Sequence, residues 1–392
     1  MAVRRQLKWW FAAFLLLLPL TTAWNLFVAS SYPKLTIKLG RGLYGVTERS
    51  SLDFSWTSLR EGKFQRAVAT RVGESLPMRP FLIRLNNQIA FSLFEEVNAP
   101  GLMIGKKQQL IETTYLREYC SRKEDMAETL ANRMIPMLLG IQAYYRSRGG
   151  AFLYIISPSK AAHLPEYFVG KFDCPNSVEA RTTMIPDYAE RLRKAGIAVF
   201  DAATFTHGLK GSYPVEMFPR GGIHWNGIGV ARASIEIVKA INAQTGQETL
   251  RPFSFDYAVK GPPIGADRDL ADLTNVLVPP LGYPTAKLTY QPADSCNSHP
   301  AQQLDAAVVG GSFMYDPSEL LTHAACLSRL NLFFYLKLGR YAGSPQKREK
   351  EGLSDADLQP LLDVNLLLLE ENEATVGRSS YAELFSRMLG RP

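Results

Sequence analysis

Apolar residues recur at helical spacing early in the chain. Phe64, Val68 and Val72 mark one stretch, and beyond the break at Pro77 the period resumes with Leu82, Leu85, Ile89 and Leu93. Gly101-Leu102-Met103-Ile104-Gly105, followed by Gln109-Leu110-Ile111, predicts a small hairpin. From about Glu124 helix and strand patterns alternate. Leu130, Met134, Met137, Leu138 and Ile141 share a helical face that stops at Gly149-Gly150, and the continuous apolar run at 152–156 suits a strand buried on both faces. Ile185, Tyr188, Ala189 and Leu192 mark the next helix, closed by Gly196 before a strand at 197–200. A helix at 228–241, a strand at 306–309 feeding a helix to about Leu338, and a strand at 365–369 complete the series. This alternation predicts an α/β fold, an open parallel sheet with helices on both faces. Residues 246–305 are rich in Pro and Gly without strong periodicity and read as an elaborated insertion.

The first residues follow another rule. Arg4, Arg5 and Lys8 precede Trp9-Trp10-Phe11-Ala12-Ala13-Phe14-Leu15-Leu16-Leu17-Leu18-Pro19-Leu20, an apolar core behind a basic start. That is a secretory signal or signal anchor. Residues 9–29 are long enough to cross a bilayer as one helix, which would leave the basic flank in the cytoplasm and everything after Ser30 outside it. We read residues 1–30 as this segment, uncleaved in preference to cleaved after Ala23 or Ser30, and 31–392 as one domain.

Composition changes this picture little. The chain has 392 residues, enough for a large core, and a formal net charge of +7. The basic clusters at the start and at Lys347, Arg348 and Lys350 read as a topology signal and solvated surface, although a modest basic surface would also suit an anionic glycan. No zinc-finger, aromatic RNA-platform or basic-helix pattern points to nucleic acid, and no His/Asp/Glu spacing points to a metal. No cofactor is expected. Cys120, Cys174, Cys296 and Cys326 form no C-x-x-C pair; in an oxidising compartment they allow two disulfides in any of three connectivities, against the alternative of four buried thiols.

Two glycine-rich turns carry the candidate chemistry. The buried strand Ala306-Ala307-Val308-Val309 ends in Gly310-Gly311-Ser312 before a helix begins. A serine there is exposed at the carboxyl end of a parallel strand, beside backbone N–H groups able to stabilise an oxyanion. The alternative is a plain helix cap. The second turn is Arg220-Gly221-Gly222-Ile223-His224-Trp225. His224 has the right titration range to deprotonate a serine, and Trp225 offers a flat face of the kind sugars stack on. A structural histidine in a polar niche is the alternative. The assigned candidates are Ser312 and His224 as catalytic residues, with Trp225, Arg220, Lys160 and Tyr315 binding substrate.

Several stretches, in order, resemble the alginate O-acetyltransferase (AlgJ/AlgX-type) family, whose domain is SGNH-hydrolase-like. Phe54-Ser55-Trp56 with Gly62-Lys63-Phe64-Gln65 looks like its opening helix, and Ile104-Gly105-Lys106 through Leu110 and Tyr115 its early hairpin. Ile156-Ser157-Pro158-Ser159-Lys160 and Pro165-Glu166-Tyr167 look like its first sheet strand and loop. His224-Trp225 matches the end of its Asp-x-His-Trp box, Gly311-Ser312 its serine turn, and Asp363-Val364-Asn365 through Glu370, Asn372 and Glu373 its closing strand. The resemblance implies a periplasmic, inner-membrane-anchored enzyme that moves acetyl groups to hydroxyls of an exported polysaccharide through an acetyl-serine. It also implies a multispanning membrane acyltransferase as acetyl donor. The box's aspartate is replaced by Gly222, so either another carboxylate substitutes, with Asp316 and Glu216 as the ones to name, or a Ser/His dyad suffices, or the domain is catalytically weak. A carbohydrate esterase and a catalytically weak glycan-binding subunit of a secretion complex are the competing functions.

Overall fold

The computed structural model describes residues 2–28, 31–38, 40–45, 54–292, 296, 299, 301, 304–327, 329–335, 338–341, 348–378 and 380–390. It divides into two compact units, 1–100 with 271–280, and 101–270 with 281–392.

The first unit is helical: Ala2–Val28, Trp56–Arg60, Lys63–Ser75 and Arg79–Phe94. Asn25 ties it together, its amide donating to the carbonyls of Ile37 and Ser75 (both 2.8 Å) while its oxygen accepts from Ile37 N–H. The periodic residues Leu82, Leu85, Ile89 and Leu93 stay exposed on their helix. Among the described residues no helix is long and apolar enough to cross a membrane. The side chains of residues 10–15, within the apolar run that suggests an anchor, lie outside the described residues, as does Ser30.

The second unit is built on a seven-stranded sheet. In chain order the strands of this unit are β1 (Leu102–Ile104), β2 (Leu110–Glu112), β3 (Ala151–Ser157), β4 (Val199–Asp201), β5 (Ser254–Lys260), β6 (Thr285–Gln291), β7 (Asp305–Gly310), β8 (Arg329–Phe334), β9 (Leu338–Tyr341), β10 (Arg348–Glu351) and β11 (Leu366–Asn372). The sheet runs β10-β9-β8-β7-β11-β3-β4. Five neighbouring strands, β8 to β4, are parallel, and β9 and β10 extend one side antiparallel. Helices Met126–Ser147 and Val178–Lys194 pack a continuous core against β3 and β11, where Phe152, Tyr154, Ile156, Leu367 and Leu369 are fully buried. The apolar runs are uninterrupted because both sheet faces are covered.

One expectation needs correction. The helix after β7 ends at His323 instead of reaching Leu338, because Cys326 takes a left-handed backbone (φ 66°) and bonds to Cys296, turning the chain into β8 and β9. Residues 246–305 contain the antiparallel hairpin β5–β6. Cys120 and Cys174 form the second disulfide. Of the late basic cluster, Arg348 and Lys350 lie on β10, and Lys347 is outside the described residues.

Candidate active site

The parallel strands end on one edge, and that edge carries the candidate residues. β7 delivers Gly310, Gly311 and Ser312, after which a short turn, Ser312–Met314, leads into helix Tyr315–His323. Gly310 is required by packing. A Cβ there would fall 2.5 Å from Oε2 of Glu370, the buried carboxylate on neighbouring β11. Glu370 accepts from Gly311 N–H (2.7 Å) and from the Ser157 hydroxyl at the end of β3. Burial pushes its carboxyl up to about 7, against these two hydrogen bonds. The Ser312 hydroxyl meets the phenol oxygen of Tyr335 at 3.2 Å, and the same phenol oxygen lies 3.4 Å from Ser312 N. Tyr335 follows β8 in a left-handed conformation (φ 51°), its N–H bonded to Gly310 O (2.8 Å).

The histidine loop precedes helix Gly227–Thr245, which Asn226 caps through Gly229 N–H. Lys160, fully buried, holds the loop from below. Its ammonium donates to the carbonyls of Pro219 (2.7 Å), Arg220 (3.0 Å) and Gly222 (2.8 Å). Burial drives its pKa well down, Asp269 works to raise it and Arg220 to lower it. Lys160 is thus a fastener of the loop and does not reach substrate. Trp225 is corrected as well. Only 1% exposed, it donates its indole N–H to Phe313 O (3.2 Å), which welds the histidine loop to the serine turn and leaves no face for a sugar. Arg220 is half-buried, with its guanidinium over the Tyr283 ring (5.6 Å), and Tyr315 is 39% exposed.

The acid bonded to His224 is Asp269, a residue that sequence reasoning missed. His224 Nδ1–H donates to Asp269 Oδ2 (2.6 Å), and Asp269 Oδ1 accepts from Ile223 N–H (2.9 Å) and Leu270 N–H (2.7 Å). Neither Asp316 nor Glu216 bonds the imidazole; both are exposed, and Asp316 reaches His224 only as a charge. Gly222 explains the exchange of acids. A Cβ at 222 would meet Ala266 O at 2.5 Å and Asp267 C at 3.1 Å, so the glycine makes room for the very segment that brings Asp269 in. Tyr283 pins that segment to the loop, donating to Asp267 O (2.6 Å) and accepting from Gly221 N–H (3.1 Å).

With Nδ1 committed to Asp269, His224 Nε2 is buried and has no hydrogen-bond partner among the described residues. The imidazole packs on the ring of Phe313, the residue after Ser312, with centroids 4.9 Å apart. Base and hydroxyl therefore share a neighbourhood without bonding directly, the hydroxyl being turned to Tyr335. The constellation has what acyl transfer needs: a serine on a strand-to-helix turn, a tautomer-fixed imidazole with a nitrogen unpartnered among the described residues, and a half-buried acid behind it. Among the described residues no group of His, Cys, Asp and Glu could hold a metal ion.

No family model and no curated protein matches the chain. Among solved structures it is similar to the O-acetyltransferase domain of Pseudomonas putida AlgJ, at 19% identity over 74% of this chain and 99% of that one, with a TM-score of 0.46. It is also similar to Pseudomonas aeruginosa AlgX, at 14% identity over 74% of this chain and 67% of that one, TM-score 0.43. Bacillus cereus PatB1 follows at 11% identity over 70% of this chain and 96% of that one, TM-score 0.40.

Proposed function

We propose that the protein is an O-acetyltransferase acting on hydroxyls of an exported polysaccharide, with Ser312 as nucleophile, His224 as general base and acid, and Asp269 as its orienting acid. The observation that carries the reading is the 2.6 Å bond from His224 Nδ1 to Asp269, which leaves Nε2 without a partner among the described residues, beside the serine turn. His224 Nε2 takes the proton of Ser312 as the hydroxyl rotates away from Tyr335. Oγ attacks the acetyl carbonyl, the tetrahedral intermediate collapses, and the leaving group departs with the proton from His224. An acceptor hydroxyl then gives its proton to His224 and attacks the acetyl-serine, and that proton returns to Oγ. Asp269 stabilises the imidazolium in both halves.

O-acetyl transfer in preference to hydrolysis, and a polysaccharide acceptor, rest on the motif resemblance. The two disulfides support an oxidising compartment such as the periplasm. The basic, apolar amino terminus supports an inner-membrane anchor and, with it, a multispanning membrane acyltransferase as acetyl donor. One observation favours a second reading, a glycan-binding subunit without turnover: Ser312 is bonded to Tyr335 and not to His224. Incubation with p-nitrophenyl acetate decides between them. One acetyl group on the Ser312 peptide by mass spectrometry, absent in a folded Ser312→Ala variant, is the expected result. Equal release of nitrophenol by wild type and variant would defeat the catalytic reading.

A further inference from the structure

A cleft of about 630 Å³ ends at the serine turn. Gly311, Phe313 and Tyr335 line that end, and Tyr335 is the residue bonded to Ser312. The volume suits a ligand of a few sugar rings. Two aromatic side chains with accessible surface, Tyr115 and Tyr335, contribute to its walls beside the buried Phe313 and Tyr381, with the hydroxyl groups of Thr375 and Ser380 among them. Aromatic surface beside neutral hydroxyls matches what a pyranose presents, a CH face and a rim of hydroxyls.

The charges of the cleft are the informative part. Among the described lining residues Arg378 is the one cation, and it is committed: it is ion-paired with Glu118, also in the lining, and donates to Ala374 O (2.9 Å). The carboxylates of Glu370 and Glu371 lie at the cleft's base, buried and hydrogen-bonded inward. Glu112 remains, a half-buried carboxyl on the side towards His224. Burial raises it from its ordinary value, Asp269 raises it further, and His224 opposes the rise. A carboxylate entering this space would meet acidic groups and no uncommitted cation. The basic surplus lies elsewhere. Residues 1–100 carry thirteen Lys and Arg against six Asp and Glu, a difference equal to the chain's whole net charge of +7.

We propose that this cleft seats the acceptor, and that the acceptor is a glycan free of carboxylates, built of neutral, N-acetylated or amino sugars, in place of a polyuronate. The inference rests on the assignment of Ser312 as nucleophile. It is tested on the full chain with chitooligosaccharides, their partially deacetylated forms and oligomannuronate. Binding is measured by calorimetry without donor, and acetyl transfer by product mass spectrometry with p-nitrophenyl acetate as donor. Binding and transfer are expected to favour the uncharged and amino oligosaccharides by roughly tenfold or more over the oligouronate, since like charges set against each other repel. Glu118→Gln, which frees Arg378, is expected to narrow that preference. Equal or preferred use of the oligouronate would overturn the inference while leaving the acetyl-serine intact. So would acetylation of Ser312 with no binding to any carboxylate-free oligosaccharide. Absence of acetyl-serine with the binding preference intact would instead overturn the nucleophile assignment and leave the cleft's specificity standing.

Discussion

The two halves of the site are held by opposite means. His224 sits on a loop fastened from several sides: three carbonyls on one buried ammonium, an aspartate accepting three N–H groups, and an indole locked onto the serine turn. The Ser312 hydroxyl, among the described residues, is held by a single bond, to a tyrosine that is 45% exposed. The contrast matches what the proposed acyl transfer asks of each group. An imidazole works only in one tautomer and one orientation, so its surroundings are over-determined. A serine oxygen must travel between base and carbonyl carbon, so a weak tether suits it.

Removing the acid tests the stiff half most severely. Asp269→Asn keeps the size but lets the amide donate to Nδ1, which moves the ring proton to Nε2 and removes the lone pair that accepts from Ser312. We expect a loss of about 10⁴ in the acetylation rate, the scale seen when a triad aspartate becomes asparagine. Rates within tenfold of wild type in pre-steady-state nitrophenol release would show that Asp269 does not orient the base.

Gly222 gives the next effect, and it reverses what the family box suggests. Restoring an acid there as Gly222→Asp looks like a repair, but its Cβ would press on the backbone of Ala266 at 2.5 Å and push Asp269 away. A displacement of about 1 Å costs on the order of 100-fold. Gly222→Ala is expected to lose nearly as much, because the clash is with Cβ itself. A gain of activity in the aspartate variant would mean that the 265–269 segment yields.

What could be read in advance follows the same division. The serine and histidine turns were legible because each is a local glycine-rich punctuation between periodic elements. Asp269 was not, since it lies 45 residues beyond His224 in a stretch where Pro and Gly erase periodicity, and only the tertiary contact with Gly222 gives it meaning. The sheet strands at 151–157, 305–310 and 366–372 were found because burial on both faces leaves continuous apolar runs. β8 was absorbed into a helix because its apolar residues follow the helix of Tyr315–His323 within a few positions, and the break is made by the backbone of Cys326. Lys160 and Trp225 suggest substrate contacts by their chemistry alone, but burial turns both into fasteners.

Under the serine turn, Glu370 adds a dependence on pH. Its pKa is raised on folding from an ordinary 4.5 to about 7, so the folded state holds this proton more tightly than the unfolded chain does. Its contribution is fully present below about 4.5 and is lost as pH rises through about 7. Thermal melts of wild type and Glu370→Gln should therefore draw apart steadily between these values, wild type losing ground as pH rises, and run parallel above. Parallel melts across the whole range would mean that Glu370 does not bind its proton more tightly when folded.

The smallest effect is expected from the tether. Tyr335→Phe removes the phenol oxygen from Ser312 Oγ and leaves the ring that closes the cleft. The left-handed backbone at 335 costs about 1–2 kcal/mol for any residue with a Cβ, and phenylalanine bears the same cost, so the variant isolates the hydroxyl. One neutral hydrogen bond contributes about 1 kcal/mol, and its loss also frees the serine to turn towards His224. The two consequences oppose each other, and we expect acetylation to change by less than about tenfold in either direction. A second role is open to the same group. Gly311 N–H is occupied by Glu370, so the turn has one donor fewer for an oxyanion, and the phenol stands 3.4 Å from Ser312 N, where a second donor is needed. An oxyanion donor is worth about 10² to 10³ in rate. A loss of that size in Tyr335→Phe, with an unchanged melting temperature, would move Tyr335 from tether to transition-state donor and place part of the rigid machinery on the serine's side of the site.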